Sequence, residues 1–278
     1  MTIQIALIDA FADRVFSGNP AGVCLLTHHQ EDAWMQAVAA ELGASETAFL
    51  VPVAGGWHLR WFTPTAEVEL CGHATLASAH YLWNRNQVDD EPLRFFTLSG
   101  ELTARRTSDG WIELDFPATP PEPATPPGAL LDGLGIDGVV AVYKSRNDYF
   151  VEVSDPALVR ELRPDMDRLR SIPSARGVAV TSVGEGLFDF VLRFFAPNVG
   201  VDEDPVTGSV HCALGPYWAE RLEKNDLLAR QLSAREGTVR VGVRGDRVLL
   251  AGQAITVLEG ALVGEAGDPV PRVAAPLA

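Results

Sequence analysis

FTPTAEVELCGHATLASAHYLW, residues 62–83, is echoed much later by FFAPNVGVDEDPVTGSVHCALGPYWAERL, residues 194–222. Both stretches run in the same order: aromatic and apolar residues, a proline, an acidic run, a small-residue turn centred on a glycine, and a helix-like segment rich in Ala, Leu and aromatic residues. The turn glycines, Gly72 and Gly208, lie 136 positions apart (208 − 72), close to half of the 278-residue chain. Self-similarity at that spacing points to duplication of a half-chain unit.

The segment after each glycine reads as a helix. HATLASAHYLW carries Ala74, Leu76, Ala77, Ala79, Leu82 and Trp83 with almost no charge, so its helix is apolar nearly all round, as a helix wrapped by sheet would be. Its first-turn N–H groups have no intrahelical partners, and a glycine at the entrance lets another group approach them closely. Two such N-termini facing each other across a cleft would form an anion trap. In the second copy Thr207 and Ser209 supply hydroxyls suited to capping, and Pro216 is placed to kink or interrupt the helix.

Elsewhere the patterns are mostly those of strands. IQIALIDAF, GVCLLT, TAFLVPV, GWHLRWFT, LRFFTL, ELTARRT and WIELDF alternate or are β-rich between turn residues, and GVVAVYKSRNDYFVEV reads as a hairpin around Arg146-Asn147-Asp148. GVAVTSV, DFVLRFF, TVRVGVRG, RVLLAGQAITVLEG and ALVG continue the style. Further helices are expected over EDAWMQAVAAEL and over ALVRELRPDMDRLRS, the latter interrupted by Pro164. PATPPEPATPPG, residues 117–128, is a semi-rigid connector and the natural seam. The expected division is therefore residues 1–117 and 118–278, with the last strand left open to pack on the first half.

Composition narrows the function. With 47% hydrophobic and 21% charged residues, the chain buries a substantial core. No apolar run reaches the ~18 residues of a membrane span, and the opening MTIQIALIDAFADRVF has no basic n-region, so a cytoplasmic protein without membrane contact is expected. Three cysteines, Cys24, Cys71 and Cys212, suit reduced thiols rather than a disulfide framework. The balance of 22 basic against 37 acidic residues, −15 in all, repels a phosphate backbone and argues against nucleic acid. An anionic substrate would need local help from backbone N–H groups, helix N-termini or a few arginines.

DAFADRVFSGNPAGVCLL, ASETAFL, FTPTAEVELCGHATLA and EDPVTGSVHCALGPYWA together resemble the phenazine-biosynthesis PhzF-like family, relatives of diaminopimelate epimerase, with landmarks in order from about residue 9 to residue 219. The resemblance implies an α+β, duplicated diaminopimelate epimerase-like fold: two similar domains, each a strongly curved, mostly antiparallel sheet around a central helix, with the active site between them. It also implies isomerase chemistry without a cofactor, a small anionic metabolite as substrate, and a homodimer. By motif match Glu46 is the acid/base carboxylate, and desolvation in a closed cleft is expected to raise its pKa toward neutrality. His73 and Asp204, taken as paired features at equivalent places of the two repeats, orient the substrate and stabilise charge. Asn19, Ser45, Gly72, Gly208 and Ser209 are the expected substrate-binding residues.

Two-thiol racemases of the superfamily place a base and an acid on opposite faces of the α-carbon. Cys71 stands beside Gly72, but the corresponding position beside Gly208 is Thr207, far too weak an acid for that role. A one-sided proton shift fits better; a Cys/Thr racemase-like dehydratase and a non-catalytic binding protein are the alternatives. Cys71, His73, His211 and Cys212 have metal-ligand atom types without metal-site spacing, so no metal is expected. No phosphate-binding glycine motif appears, so neither NAD nor ATP is indicated. Trp83, Tyr217 and Trp218 are expected in the core.

Overall fold

The computed structural model describes residues 3–88, 92–172 and 174–262. The first half runs β1 (Ile3–Ala10), β2 (Asn19–Leu25), α1 (Asp32–Leu42), β3 (Glu46–Val53), β4 (Gly56–Phe62), β5 (Glu67–Val68), α2 (Gly72–Asn84), β6 (Leu93–Thr97), β7 (Gly100–Arg106) and β8 (Ile112–Pro117). The second continues with β9 (Glu122–Pro123), α3 (Gly128–Leu134), β10 (Val139–Ser145), β11 (Asp148–Val153), α4 (Pro156–Glu161), α5 (Met166–Arg170), β12 (Gly177–Val183), β13 (Phe190–Ala196), β14 (Val201–Asp204), α6 (Gly208–Leu222), β15 (Asp226–Gln231), β16 (Gly237–Arg244), β17 (Arg247–Gly252) and β18 (Ala254–Leu262). Of the expected ALVG strand, Val263 and Gly264 lie outside the described residues.

The duplication is written in the pairing. β2 and β3 are parallel neighbours joined by a helical crossover, and so are β11 and β12. β3–β4 and β12–β13 are antiparallel hairpins; β4 then takes β6 as a parallel neighbour across α2, as β13 takes β15 across α6. Antiparallel pairing of β8 with β17 joins the two sheets, and β18 returns to pair with β1. The proline-rich connector already contributes β9 to the second sheet, through β10.

Each sheet encloses one helix. α2 touches β1, β2, β3, β7, β8 and β18, and ten of its thirteen residues are buried. Its near-absence of charge follows from that enclosure, since a charged residue on any side would lose its hydration, and the buried hydroxyls of Thr75 and Ser78 donate back to the carbonyls of Cys71 and Ala74. Leu76, Tyr81, Leu82 and Trp83 each contribute roughly 1.5–3 kcal/mol by leaving water. Tyr217 and Trp218 of α6 join the same core. Other helices cover the outer faces: Trp34, Met35 and Val38 of the crossover helix α1 pack on Phe49 of β3, while α3 and the crossover helices α4 and α5 form a separate cluster on the second sheet.

Pro164 separates α4 from α5 as expected. Pro216 does not interrupt its helix: α6 runs unbroken from Gly208 to Leu222. A proline removes the N–H that would bond the carbonyl four residues earlier. That carbonyl, of Cys212, accepts instead from Thr119 N–H of the connector at 3.0 Å, so the helix keeps its hydrogen bond by taking the donor from outside. Among the described residues no helix is long and apolar enough to cross a membrane.

Candidate active site

The two enclosed helices meet N-terminus to N-terminus. A Cβ placed on Gly72 would lie 3.8 Å from the Cα of Gly208, and the converse distance is the same. Neither helix has a side-chain cap: Cys71 and Thr207 occupy the cap positions without bonding the first-turn N–H groups. The capping expected of Thr207 and Ser209 is thus not seen, because both hydroxyls are committed elsewhere. Thr207 donates to Asp204 Oδ2 at 2.6 Å, and Ser209 accepts from Arg176 at 3.0 Å. Beside the bare helix ends lies a cavity of about 540 Å³ lined from both halves, of a size suited to a small ligand.

Glu46 reaches this cavity because α1 ends on Gly43 in the left-handed conformation, φ 61°, and the chain turns straight into β3 with Glu46 as its first residue. Its Oε2 lies 3.1 Å from Nε2 of His73, the second residue of α2. The other ring nitrogen of His73, Nδ1, lies 3.5 Å from Cys71 Sγ. From the second half, Asp204 at the end of β14 enters the wall and accepts from Asn19 Nδ2 at 2.7 Å. His73 and Asp204 are not equivalent in the repeat. His73 follows Gly72 as Ser209 follows Gly208, whereas Asp204 precedes Gly208 by four residues, where the first copy has Val68.

Glu46, Gly72, His73, Asp204, Gly208 and Ser209 line the cavity; Asn19 and Ser45 do not. Asn19 is fully buried behind the wall, where its amide binds both Asp204 and the Val206 carbonyl across the junction of the halves. Gln231, last residue of β15, completes the clamp: its Oε1 accepts from Thr207 N–H at 2.9 Å and its Nε2 donates to Asp204 O at 2.7 Å. Gln231 and the cavity-lining pair Arg176 and Asp148 carried no sequence signal, since each is defined only by partners brought together in the fold.

The charges depart from expectation at Glu46. Burial works to raise its carboxyl, but the charge of His73 and hydrogen bonds from His73 and Cys71 outweigh it, holding the group below its usual 4.5. At His73 burial opposes the cation, while Cys71 and Glu46 together raise the imidazole well above 6.5. The resting pair is carboxylate and imidazolium. Burial, reinforced by Glu46, raises the Cys71 thiol against the pull of His73 and the Ala74 N–H.

Asp204 is the group moved toward neutrality. Burial pushes it up to about 6 against the pull of His73 and the bonds from Thr207 and Asn19, with Glu46 adding to the rise. A folded-state pKa above the unfolded 3.8 means that the native state holds this proton more tightly. The associated stability is complete below the unfolded pKa and is lost as pH rises through about 6. Asp204→Asn is therefore expected to stabilise the fold by about 1–3 kcal/mol at pH 7.5 and by much less at pH 4. Urea unfolding at the two pH values checks this; an equal effect at both would mean that Asp204 does not titrate between them.

The chain matches the PhzC-PhzF family, described as phenazine biosynthesis-like protein, over residues 8–260. It belongs to that family. An uncharacterized isomerase of Halalkalibacterium halodurans is 49% identical over 266 residues, covering 95% of this chain and 99% of the relative. A crystal structure of a PhzF-family phenazine biosynthesis protein from Enterococcus faecalis superposes with a TM-score of 0.90 at 39% identity, covering 94% of this chain and 99% of the other. A probable proline racemase from Agrobacterium radiobacter shares the fold at a TM-score of 0.63 and 12% identity, covering 96% and 95% of the two chains. The duplicated α+β fold expected of this family is the fold observed.

In this family member Glu46, Cys71 and His73 place one ligand-type atom each within 4.8 Å of one another, a grouping that spacing along the chain does not reveal because Glu46 comes from a different element. Within it, the Glu46 carboxylate and the His73 imidazolium already face each other as an ion pair. His211 stands apart from this group, with Nδ1 2.8 Å from Thr207 O. Because the Cys71 thiol is buried and Thr207 is committed to Asp204, Cys71→Ala is expected to retain most activity and iodoacetamide to inactivate slowly. Abolished turnover, with substrate protection against alkylation, would make Cys71 the base.

Proposed function

We propose that the cavity is the active site of a cofactor-independent isomerase that moves a proton on a small carboxylate-bearing metabolite, with Glu46 carrying the proton. Isomerase is also the class in which the Halalkalibacterium relative is named. The observation that supports the mechanism best is the Glu46–His73 ion pair, 3.1 Å across, in one cavity with Asp204 and the two uncapped helix ends. The N–H groups around Gly72 and Gly208 hold the substrate carboxylate, supplying the local attraction that a chain of net charge −15 lacks. Glu46, already ionised, takes a proton from carbon. The C–H bond breaks, an O–H bond forms on Glu46, and the electron pair spreads into the substrate's own conjugated system. The His73 imidazolium and the helix ends stabilise that negative charge. Glu46 then returns the proton to a different carbon, so no oxidant, reductant or second base is consumed.

Asn19 and Gln231 act behind the wall by fixing Asp204 and the α6 entrance. A screen of small unsaturated carboxylates incubated in deuterium oxide and read by mass spectrometry tests the reading. Deuterium incorporation coupled to a shifted double bond is the expected result. Turnover that retains every carbon-bound proton at its original carbon would remove it.

A further inference from the structure

The cavity wall opposite in sequence to the Glu46 side is the tip of the β10–β11 hairpin, where Ser145, Arg146, Asn147 and Asp148 all face the cavity. Arg146 sits there with φ 50°, a left-handed conformation natural to Gly or Asn and costly to a long side chain. The turn would form more easily without an arginine. Its neighbour Asp148 is not its partner: both carboxylate oxygens of Asp148 are taken by Arg176, which also donates to Ser209. Arg146 makes no hydrogen bond or ion pair among the described residues, whereas Arg60, Arg193, Arg230 and Arg235 are each held by carboxylates. Its charge nonetheless bears on the cavity: burial raises the Cys212 thiol to about 12 against the pull of Arg146 and Arg247. Arg146 is thus an exposed guanidinium without an ion-pair partner at the rim of a cavity, on a chain of net charge −15, and a guanidinium is chemically suited to an anion.

We infer that Arg146 forms a second anion-binding position in the cavity, so that the preferred substrate carries two anionic groups, one at the helix ends and one at the hairpin tip. This rests on reading the cavity as the site of a carboxylate substrate. A planar guanidinium binds a carboxylate through two parallel N–H bonds, so the second group selects dicarboxylates over monocarboxylates of the same length.

Calorimetric titration of the whole protein with glutarate and with butyrate, at pH 7.5 and low salt, tests the inference. Glutarate is expected to bind the wild type about tenfold or more tightly than butyrate, a margin of the size that one charge-assisted pair supplies. Arg146→Gln should lose that margin with butyrate affinity unchanged, and Arg146→Lys should keep part of it. Thermal unfolding indistinguishable from the wild type would show that the exposed substitution leaves the fold intact. Equal binding of the two acids by the wild type, no glutarate binding at 10 mM, or a margin that survives Arg146→Gln would each overturn the inference. The same titration on Glu46→Gln separates the two readings: a retained margin without proton transfer supports the second anion position, and intact turnover in that variant defeats only the proton-carrying role.

Discussion

Glu46→Gln is expected to lower the rate of solvent-proton incorporation by ~10²-fold or more while leaving ligand binding close to wild type. Glutamine keeps the size of the side chain and one hydrogen-bonding oxygen, and loses only the basic oxygen that takes the proton. The geometry adds a second readout. His73 is charged because Glu46 and Cys71 overcome burial, and one of those supports is the carboxylate 3.1 Å from Nε2. With that anion gone, burial acts against a weaker opponent, and the imidazole pKa should fall. Nuclear magnetic resonance of the His73 ring across pH 5–9 would follow this directly. A glutamine variant with near-normal turnover on its true substrate would take Glu46 out of the mechanism. An unchanged His73 titration would show that the two groups are not coupled in solution.

Arg235→Ala is expected to destabilise the native state by ~3 kcal/mol at pH 8, the usual consequence of stripping the partner from a buried charge. Asp9 on β1 is nearly inaccessible, and its Oδ1 accepts from Arg235 Nη2 at 2.6 Å while its Oδ2 accepts from Phe16 N–H at 2.9 Å. Arg235 also donates to the carbonyls of Gly18 and Ser17, so one side chain from the second half pins the whole β1–β2 loop of the first. Burial raises the Asp9 carboxyl even with Arg235 and the Phe16 N–H pulling the other way. Removing Arg235 lifts it further. A raised folded-state pKa means stability present below the unfolded value and lost as pH rises through the folded one. The penalty should accordingly be small near pH 4 and grow toward pH 8. At about 2–4 °C per kcal/mol for a chain of this size, Tm at pH 8 should drop by roughly 6–12 °C. A shift of the same size at both pH values, or one under 2 °C, would show that the Asp9 charge is not what Arg235 compensates.

The halves are tied by several such reciprocal contacts, and these set the limit of what can be read along the chain. Gly72 and Gly208, the acidic runs before them and the apolar helices after them were legible because they depend on local pattern and on a spacing of half the chain. The expected enclosure of each helix follows from composition alone, since a segment such as HATLASAHYLW has no face fit for water. Glu46, His73 and Asp204 were legible as residues through their motifs. Their electrostatics were not: Glu46 was expected to titrate high from burial, and the facing imidazolium reverses the direction. His73 lies on a different element, and nothing near Glu46 in sequence announces that it will stand 3.1 Å away.

The same reason explains Pro216 and Thr207. Proline propensity describes a helix that must supply its own donors, and α6 takes one from Thr119. Capping propensity describes a hydroxyl with no better offer, and Thr207 has Asp204. The sequence by itself determined the duplicated unit, the two enclosed helices and the residue types at their entrances, because periodicity and turn chemistry act over a few residues. Only the tertiary structure decided which of those residues are charged, which hydroxyls are spent on neighbours, and that Asn19 and Gln231 hold Asp204 from behind. Those outcomes depend on distances between groups up to 185 positions apart in the chain, which strand pairing and burial set and local pattern does not encode.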